Sequence, residues 1–142
     1  MAESLQPLRI FLDSNVLFSA SYSERSRFLR LWRLVEVTTL ISPYVIGEVR
    51  RNARNINQAL RLNAILTRTT IVKDGDAAVI PPGTVLVEKD RPILASAIAA
   101  GADYLLTGDI GDFSHLYGSR IRGVIIIQPG EFLDANDYRL IP

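Results

Sequence analysis

Short apolar segments that end on polar residues constrain the fold of this chain more than any other feature. The first covers residues 9–12 (RIFL) and runs directly into Asp13. Strands of continuous apolar character that alternate with helices are typical of a parallel sheet covered by helices on both faces. Similar segments follow at residues 38–41 (TTLI), 70–72 (TIV), 104–107 (YLLT) and 124–127 (VIII). The sequence therefore predicts an α/β fold, in which ligands bind beyond the carboxyl ends of the strands.

The stretches between these strands carry helix signals. Residues 25–37 place four large apolar side chains on one face and arginines on the other, which predicts a helix. A Ser-Pro pair at residues 42–43 begins a second helix, and residues 56–67 form a third. A small, alanine-rich helix is expected from residue 90 to about residue 100. Residues 75–83 contain two glycines and two prolines, which indicates a flexible loop.

Composition sets broad limits on function. A chain of 142 residues is long enough for one domain, and we expect a single domain over residues 1–142. Without cysteine, disulfides, thiolate metal sites and cysteine nucleophiles are excluded, and the single histidine excludes a multi-histidine metal site. The N-terminus lacks a signal-like segment, and no apolar run reaches about 18 residues. We therefore expect a cytoplasmic protein that does not enter a membrane.

The cations are almost all arginine, since only Lys73 and Lys89 among the 16 basic residues are lysine. Arginine makes planar, bidentate contacts with phosphate, so this bias is consistent with a phosphate-bearing partner. It is equally consistent with a general composition bias. The net charge of +1 indicates neither a nucleic-acid binder nor an enzyme for acidic substrates.

Five acidic residues lie where strands end or helices begin, and each alone has an ordinary explanation. Asp13 and Asp90 fit helix caps. Glu48 fits a pairing with Arg51 or Asn52 on the same helix. The remaining two, Asp109 and Asp112, follow glycines and fit turns.

Together these carboxylates indicate a metal site. Carboxylates gathered at one sheet edge repel one another, which raises their pKa values unless a cation compensates. An acidic cluster without histidine or cysteine favours a hard, oxygen-binding cation such as Mg²⁺ or Mn²⁺. Such an ion activates water and neutralises charge on a scissile phosphate, so the cluster predicts phosphodiester cleavage.

Four sequence blocks resemble those of PIN-domain nucleases. The first acid is followed by a small hydroxyl residue and asparagine, and the later blocks come in the family's order. The blocks are FLDSNVL at residues 11–17, EV at 48–49, DRPILASA at 90–97 and TGDIGDF at 107–113, the last preceded by GADYLL. The most specific stretch is the D-x-P-x-x-A pattern with the GADYLLTGD run after it. The resemblance covers nearly the whole chain and is weakest beyond Gly123.

The resemblance implies a three-layer α/β/α sandwich with a mostly parallel sheet of about five strands. It also implies an endoribonuclease dependent on Mg²⁺ or Mn²⁺. By motif match, the metal-binding and catalytic acids are Asp13, Glu48, Asp90 and Asp109, Asp112 is an accessory ligand, and Asn15 and Thr107 support the site by hydrogen bonds.

Many PIN proteins of this size are toxins of toxin–antitoxin pairs, commonly homodimers inhibited by a partner protein. The resemblance therefore implies an RNA substrate, a possible antitoxin and a homodimer. Two alternatives stay open: an RNA-processing nuclease without an antitoxin, and a catalytically weak protein that mainly binds RNA or a partner.

Arginines near these acids are candidates for holding the RNA backbone. Arg51 lies close to Glu48 in sequence, and Arg25 and Arg27 stand at the head of the predicted helix. His115 is expected to be a surface residue.

Two other phosphate chemistries fit the sequence less well. A phosphate-receiving signalling domain needs a lysine late in the chain, and none follows Lys89. A hydrolase with an aspartate nucleophile needs a second aspartate where Asn15 stands.

Overall fold

The structure, a computed structural model, describes residues 6–140. The expected domain over residues 1–142 stays a prediction at its ends, since residues 1–5 and 141–142 lie outside the described residues. Across residues 6–140 a single sheet joins all the named strands: β1 (Leu8–Leu12), β2 (Val37–Ile41), β3 (Thr70–Ile71), β4 (Tyr104–Leu106), β5 (Arg120–Ile121) and β6 (Val124–Ile127).

Helices connect the strands and pack against the sheet. The α-helices are α1 (Ser14–Ser21), α2 (Pro43–Asn52), α3 (Ile56–Leu66), α4 (Arg91–Ala99), α5 (Ile110–Phe113) and α6 (Pro129–Asn136). Short 3₁₀ helices cover Arg27–Arg33, Ala77–Val79, Glu88–Asp90, Ser114–Leu116 and Asp137–Arg139. The expected α/β sandwich is confirmed. No helix in residues 6–140 is long and apolar enough to cross a membrane.

The strand order explains where a site can form. The order is β3-β2-β1-β4-β6-β5, and the first five of these strands are parallel to one another. The chain moves outward from β1 through β2 to β3, then returns to place β4 on the other side of β1. Connections therefore leave β1 and β4 in opposite directions, and a crevice opens between their carboxyl ends. Leu12 pairs with Leu106, so Asp13 and Thr107 emerge side by side at that crevice.

The sheet has one strand more than the expected five. The two-residue β5 pairs antiparallel with β6, the last strand of the chain. The turn between them is tight because Arg122 and Gly123 both adopt positive φ angles, 47° and 87°. Such a turn suits a two-residue hairpin. This short edge strand lies outside the apolar pattern that predicts the other five.

The prediction of a helix over residues 25–37 is wrong. Only Arg27–Arg33 is helical, with 3₁₀ geometry, and β2 begins at Val37. Glu36 has a φ angle of 63°, which no right-handed helix accommodates. The Val35 amide instead donates to the Arg139 carbonyl (2.8 Å), and Leu34 bridges to Leu140. A pairing more than 100 residues away in sequence therefore overrides the helical pattern.

The segment expected as a flexible loop, residues 75–83, packs across α4. Ile80 is 4% exposed, and the 3₁₀ helix Ala77–Val79 contacts α4. The Gly75 amide donates to Ser96 Oγ at 2.9 Å. A Cβ on Gly75 would clash with the Ala95 carbonyl group and would lie 2.7 Å from the Ser96 nitrogen. The absence of a side chain at Gly75 therefore lets the two backbones meet.

We predict that Gly75→Ala destabilises the protein by about 1–3 kcal/mol, because the added methyl group meets backbone that cannot rotate away. Gly47→Ala is the matched control. Its Cβ would approach only the flexible tip of Arg51 (3.1 Å), and alanine favours helix α2 by up to about 1 kcal/mol. Urea unfolding of both variants checks the prediction, and equal stability of the two variants would contradict it.

Candidate metal centre

Asp13 is a buried carboxylate whose two oxygens are both hydrogen-bonded. Oδ1 accepts from the Ser14 amide (2.7 Å) and Ser14 Oγ (3.3 Å). Oδ2 accepts from Thr107 Oγ1 (2.8 Å) and Asn15 Nδ2 (3.0 Å). Burial raises the pKa of Asp13 and the charge of Glu48 adds to this, while the bonds from Thr107 and Ser14 oppose it. Asp13 thus caps α1, as its sequence position predicts, and faces the crevice as well.

Asn15 and Thr107 connect the chain segments that follow β1 and β4, respectively. Besides bonding Asp13, Asn15 donates to Thr107 Oγ1 (3.3 Å) and accepts from the Gly108 amide (2.7 Å). The Asp109 amide donates to Thr107 Oγ1 (3.1 Å). Since Thr107 Oγ1 accepts two bonds, its proton points at Asp13. The two residues expected to support the site therefore form one network with Asp13.

The other three aspartates form a compact triad. One carboxylate oxygen from each of Asp90, Asp109 and Asp112 lies within 4.8 Å of the others. Asp109 caps α5 by accepting from the Asp112 amide (3.1 Å). Asp112, expected to be an accessory residue, lies within this triad. The triad is the group of acids in the described chain that is spaced to share one cation.

Asp90 departs from its expected role as a helix cap. It stands at the start of α4, but its side chain makes no capping hydrogen bond there. Its Oδ2 atom is buried, and no donor in residues 6–140 reaches it. Capping needs a β-like backbone at the cap residue, whereas Asp90 belongs to the preceding 3₁₀ turn with φ −99° and ψ −11°. Its carboxylate is therefore left to face the other acids.

The environment of Asp90 raises its pKa to about 8. The largest cause is burial, followed by the hydrogen bond to Asp112 and the charges of Asp13 and Asp112. The same hydrogen bond lowers the pKa of Asp112. Proton binding at Asp90 and cation binding at this pair of carboxylates would therefore compete.

Glu48 approaches the group from α2. Its Oε1 atom is buried and has no hydrogen-bond partner in the described chain. The expected pairing with Arg51 does not form within residues 6–140, and Asn52 donates to the Glu48 backbone carbonyl (2.7 Å), not to the carboxylate. Glu48 lines an open cleft of about 360 Å³ between α1 and α2, together with Ser14, Asn15, Phe18, Ser19, Val49 and Asn52.

The donor set fits a hard divalent cation. All five acids present oxygen, the ligand atom that Mg²⁺ and Mn²⁺ prefer. Two buried carboxylate oxygens, Glu48 Oε1 and Asp90 Oδ2, lack a partner within residues 6–140. Buried charged groups are costly unless they are paired or coordinate a metal. The structure therefore brings Asp90, Asp109 and Asp112 close together, with Asp13 and Glu48 beside them.

The sequence-predicted arginines have different surroundings. Arg27 forms an ion pair with Asp134 of α6 (2.8 Å). The exposed Arg25 contacts Ser23 through its backbone amide. Arg51 lies near the acids, since its charge lowers the pKa of Tyr44, which burial and the charges of Glu48 and Asp90 raise.

Three residues near the acids escaped the motif-based prediction. Tyr44 donates its hydroxyl to the Lys89 carbonyl (2.8 Å), and Tyr117 donates to the Thr107 carbonyl (3.0 Å). Lys89 Nζ lies 3.4 Å from Asp112 Oδ2. Adjacency to Asp90 is the one sequence signal for Lys89. Tyr117 carries none, because only the path of the chain after α5 brings it back to β4.

The fold and the acidic crevice define a class of α/β protein that gathers carboxylates at the carboxyl ends of parallel strands. Residues 9–111 match the sequence profile of the PIN domain. The chain belongs to the PIN domain family. It matches no curated protein sequence at a significant level.

Two solved structures share this fold. One is VapBC2 from Rickettsia felis, bound to a DNA fragment from the VapBC2 promoter. The two chains are 20% identical, the match covers 85% of this chain and 98% of that chain, and the TM-score is 0.62. The other is Mycobacterium tuberculosis VapC20, a toxin that cleaves the sarcin–ricin loop. The two chains are 22% identical, the match covers 75% of this chain and 93% of that chain, and the TM-score is 0.52. At these identities the likeness shows the fold alone.

The raised pKa of Asp90 predicts how stability depends on pH. A carboxyl group with a raised pKa in the folded state stabilises fully below about pH 4, the pKa of unfolded aspartate. That stabilisation is lost as the pH rises through about 8. We expect the melting temperature in EDTA to fall between pH 5 and pH 9, and Asp90→Asn to flatten this fall and melt higher above pH 8.

Asp137→Asn, a change at an exposed carboxylate, is the matched control and should follow the wild-type profile. Mn²⁺ should stabilise the wild-type protein increasingly as the pH rises, because the cation displaces a proton. An equally steep fall for Asp90→Asn in EDTA would contradict the assigned origin of the pH dependence.

Proposed function

We propose that the protein is an endoribonuclease dependent on Mg²⁺ or Mn²⁺ and the toxin of a toxin–antitoxin pair. The observation that carries the proposal is the triad of Asp90, Asp109 and Asp112, together with two buried carboxylate oxygens, Asp90 Oδ2 and Glu48 Oε1, that accept no hydrogen bond within the described chain. An acidic site with unmet oxygens suits cation-assisted phosphodiester hydrolysis. Membership of the PIN family supports the same reaction.

Asp90, Asp109 and Asp112 would hold the cation, with Asp13 and Glu48 completing the site directly or through water. A divalent cation supplies activation of water and neutralises charge on the scissile phosphate. The protein's own contribution is to place these oxygens before the substrate arrives. Thr107 and Asn15 fix the Asp13 carboxylate, and the cap to Asp112 fixes Asp109.

The cleft between α1 and α2 gives RNA a route to these acids. Ser14, Asn15 and Asn52 line it with polar groups, and Glu48 lies in its wall. Arg51, an exposed residue of α2, would contact a phosphate of the bound RNA. The exposed Arg25 is a second candidate, whereas Arg27 would first have to leave Asp134.

The toxin role is supported by the fold shared with VapBC2 and VapC20. We propose a protein antitoxin as the inhibitory partner, a homodimer as the active assembly and cytoplasmic RNA as the substrate.

Asp13→Asn and Asp90→Asn are each expected to reduce RNA cleavage at least about 100-fold while the protein stays folded, because each removes a charge at the metal site. Cleavage of defined RNAs by purified protein in Mn²⁺, Mg²⁺ and EDTA measures this, with circular dichroism for the fold. Asp137→Asn should cleave like wild type. Undiminished cleavage by Asp13→Asn or Asp90→Asn would overturn the assignment, and RNA gel shifts without products would favour a binding protein.

Induced expression of the wild-type chain is expected to arrest growth of a bacterial host, and Asp90→Asn is expected to leave growth unaffected. The reason is that a toxin acts through cleavage of RNA that translation needs. Growth curves and translation rates measure the effect, with Asp137→Asn as the matched toxic control. Cleavage in vitro without growth arrest would instead favour an RNA-processing enzyme.

A further inference from the structure

Lys89 places an ammonium group at the acidic triad. Its Nζ atom lies 3.4 Å from Asp112 Oδ2. The described residues contain only one other ion pair, Arg27 with Asp134, and that pair is remote in sequence from every acid of the site. The ammonium group of Lys89 therefore lies against a carboxylate of the triad that is spaced to share one cation.

The backbone of Lys89 is fixed while its side chain is not. The Tyr44 hydroxyl donates to the Lys89 carbonyl (2.8 Å), and the Asp90 amide donates to the Val87 carbonyl (3.0 Å). The Val85 carbonyl, which precedes Lys89 in the same segment, is contacted by a ring nitrogen of His115. In contrast, the Lys89 side chain is 70% exposed and touches the site through its tip. A flexible four-carbon stem on a fixed backbone can carry the ammonium group between nearby anions.

We propose that Lys89 leaves Asp112 when a divalent cation binds and then contacts a phosphate oxygen of the bound RNA. The inference rests on the proposed function. A cation held by the triad would repel the ammonium group of Lys89 and attract the carboxylate of Asp112. A phosphate oxygen of RNA bound at the acids would then be an anion within reach of the released ammonium group. Lys89 thus competes with the metal before substrate binds and neutralises phosphate charge afterwards.

The proposed role of Lys89 and a purely structural ion pair predict different changes in metal and RNA affinity when Lys89 is replaced. An exposed pair that only stabilises the fold would leave both metal and RNA affinity unchanged when lost. A competing cation weakens metal binding, so its removal tightens metal binding. A phosphate contact strengthens RNA binding and makes it more sensitive to salt.

The test compares Lys89→Gln and Lys89→Arg with Lys73→Gln, which changes the chain's other lysine, an exposed residue. Mn²⁺ affinity is measured by calorimetry. RNA affinity is measured in Ca²⁺ over a series of KCl concentrations with single-stranded RNA on an Asp13→Asn background, so that cleavage does not interfere. Single-turnover cleavage in Mn²⁺ is measured without that background change.

For Lys89→Gln we expect Mn²⁺ to bind roughly fivefold more tightly, as the loss of an exposed competing ion pair implies. The slope of log affinity for RNA against log salt should fall by about 0.7, the value for one contact to single-stranded RNA. Cleavage should slow by about tenfold, the lower end of the effect of an adjacent residue on a metal site. Lys89→Arg should keep the salt slope, and Lys73→Gln should match the wild type in all three measurements.

Unchanged Mn²⁺ affinity in Lys89→Gln would overturn the competition, and an unchanged salt slope would overturn the phosphate contact. A wild-type protein that binds Mn²⁺ and RNA but cleaves nothing would refute the proposed function instead. The Mn²⁺ affinity and the salt slope would still decide the role of Lys89 in that case.

Discussion

The hydrogen bonds that the Asp13 carboxylate accepts from both sides of the β1–β4 junction hold the rest of the site in place. Thr107 reaches it from the end of β4, and Asn15 from the first turn of α1. Because Thr107 also accepts from the Asp109 amide, the same network sets the start of α5. The carboxylate thus joins two chain segments that diverge from the sheet, and the crevice between them keeps a fixed shape.

The remaining acids lie close to one another although their negative charges repel. Burial and the charges of neighbouring acids raise the pKa values of Asp13 and Asp90, so the site gathers more negative charge than its surroundings readily stabilise. Folding tolerates this because the sheet beneath is thoroughly apolar, with Phe11, Leu12 and Leu105 fully buried. If a cation binds there as we propose, the same crowding would give it several ligands at once.

The sequence predicts the fold and the acids well, because both depend on local patterns. Strand ends follow from apolar runs, and the side-by-side emergence of Asp13 and Thr107 follows from parallel pairing. Features set by distant contacts do not follow. The lost helix near Glu36 depends on pairing with the C-terminal segment, and the close approach of Gly75 to α4 depends on tertiary packing. The metal-binding roles of the acids remain predictions.

Within the site, the acids divide into a rigid and an adjustable set. Asp13 and Asp109 are held by hydrogen bonds from backbone amides, so their oxygens keep their positions whether or not a cation is present. Asp90 and Asp112 instead interact with each other, which raises the pKa of Asp90 and lowers that of Asp112, and Lys89 forms an ion pair with Asp112. If the acids bind a cation as we propose, the rigid set would define where it lies, and the adjustable set would give up a proton and the ammonium contact to it.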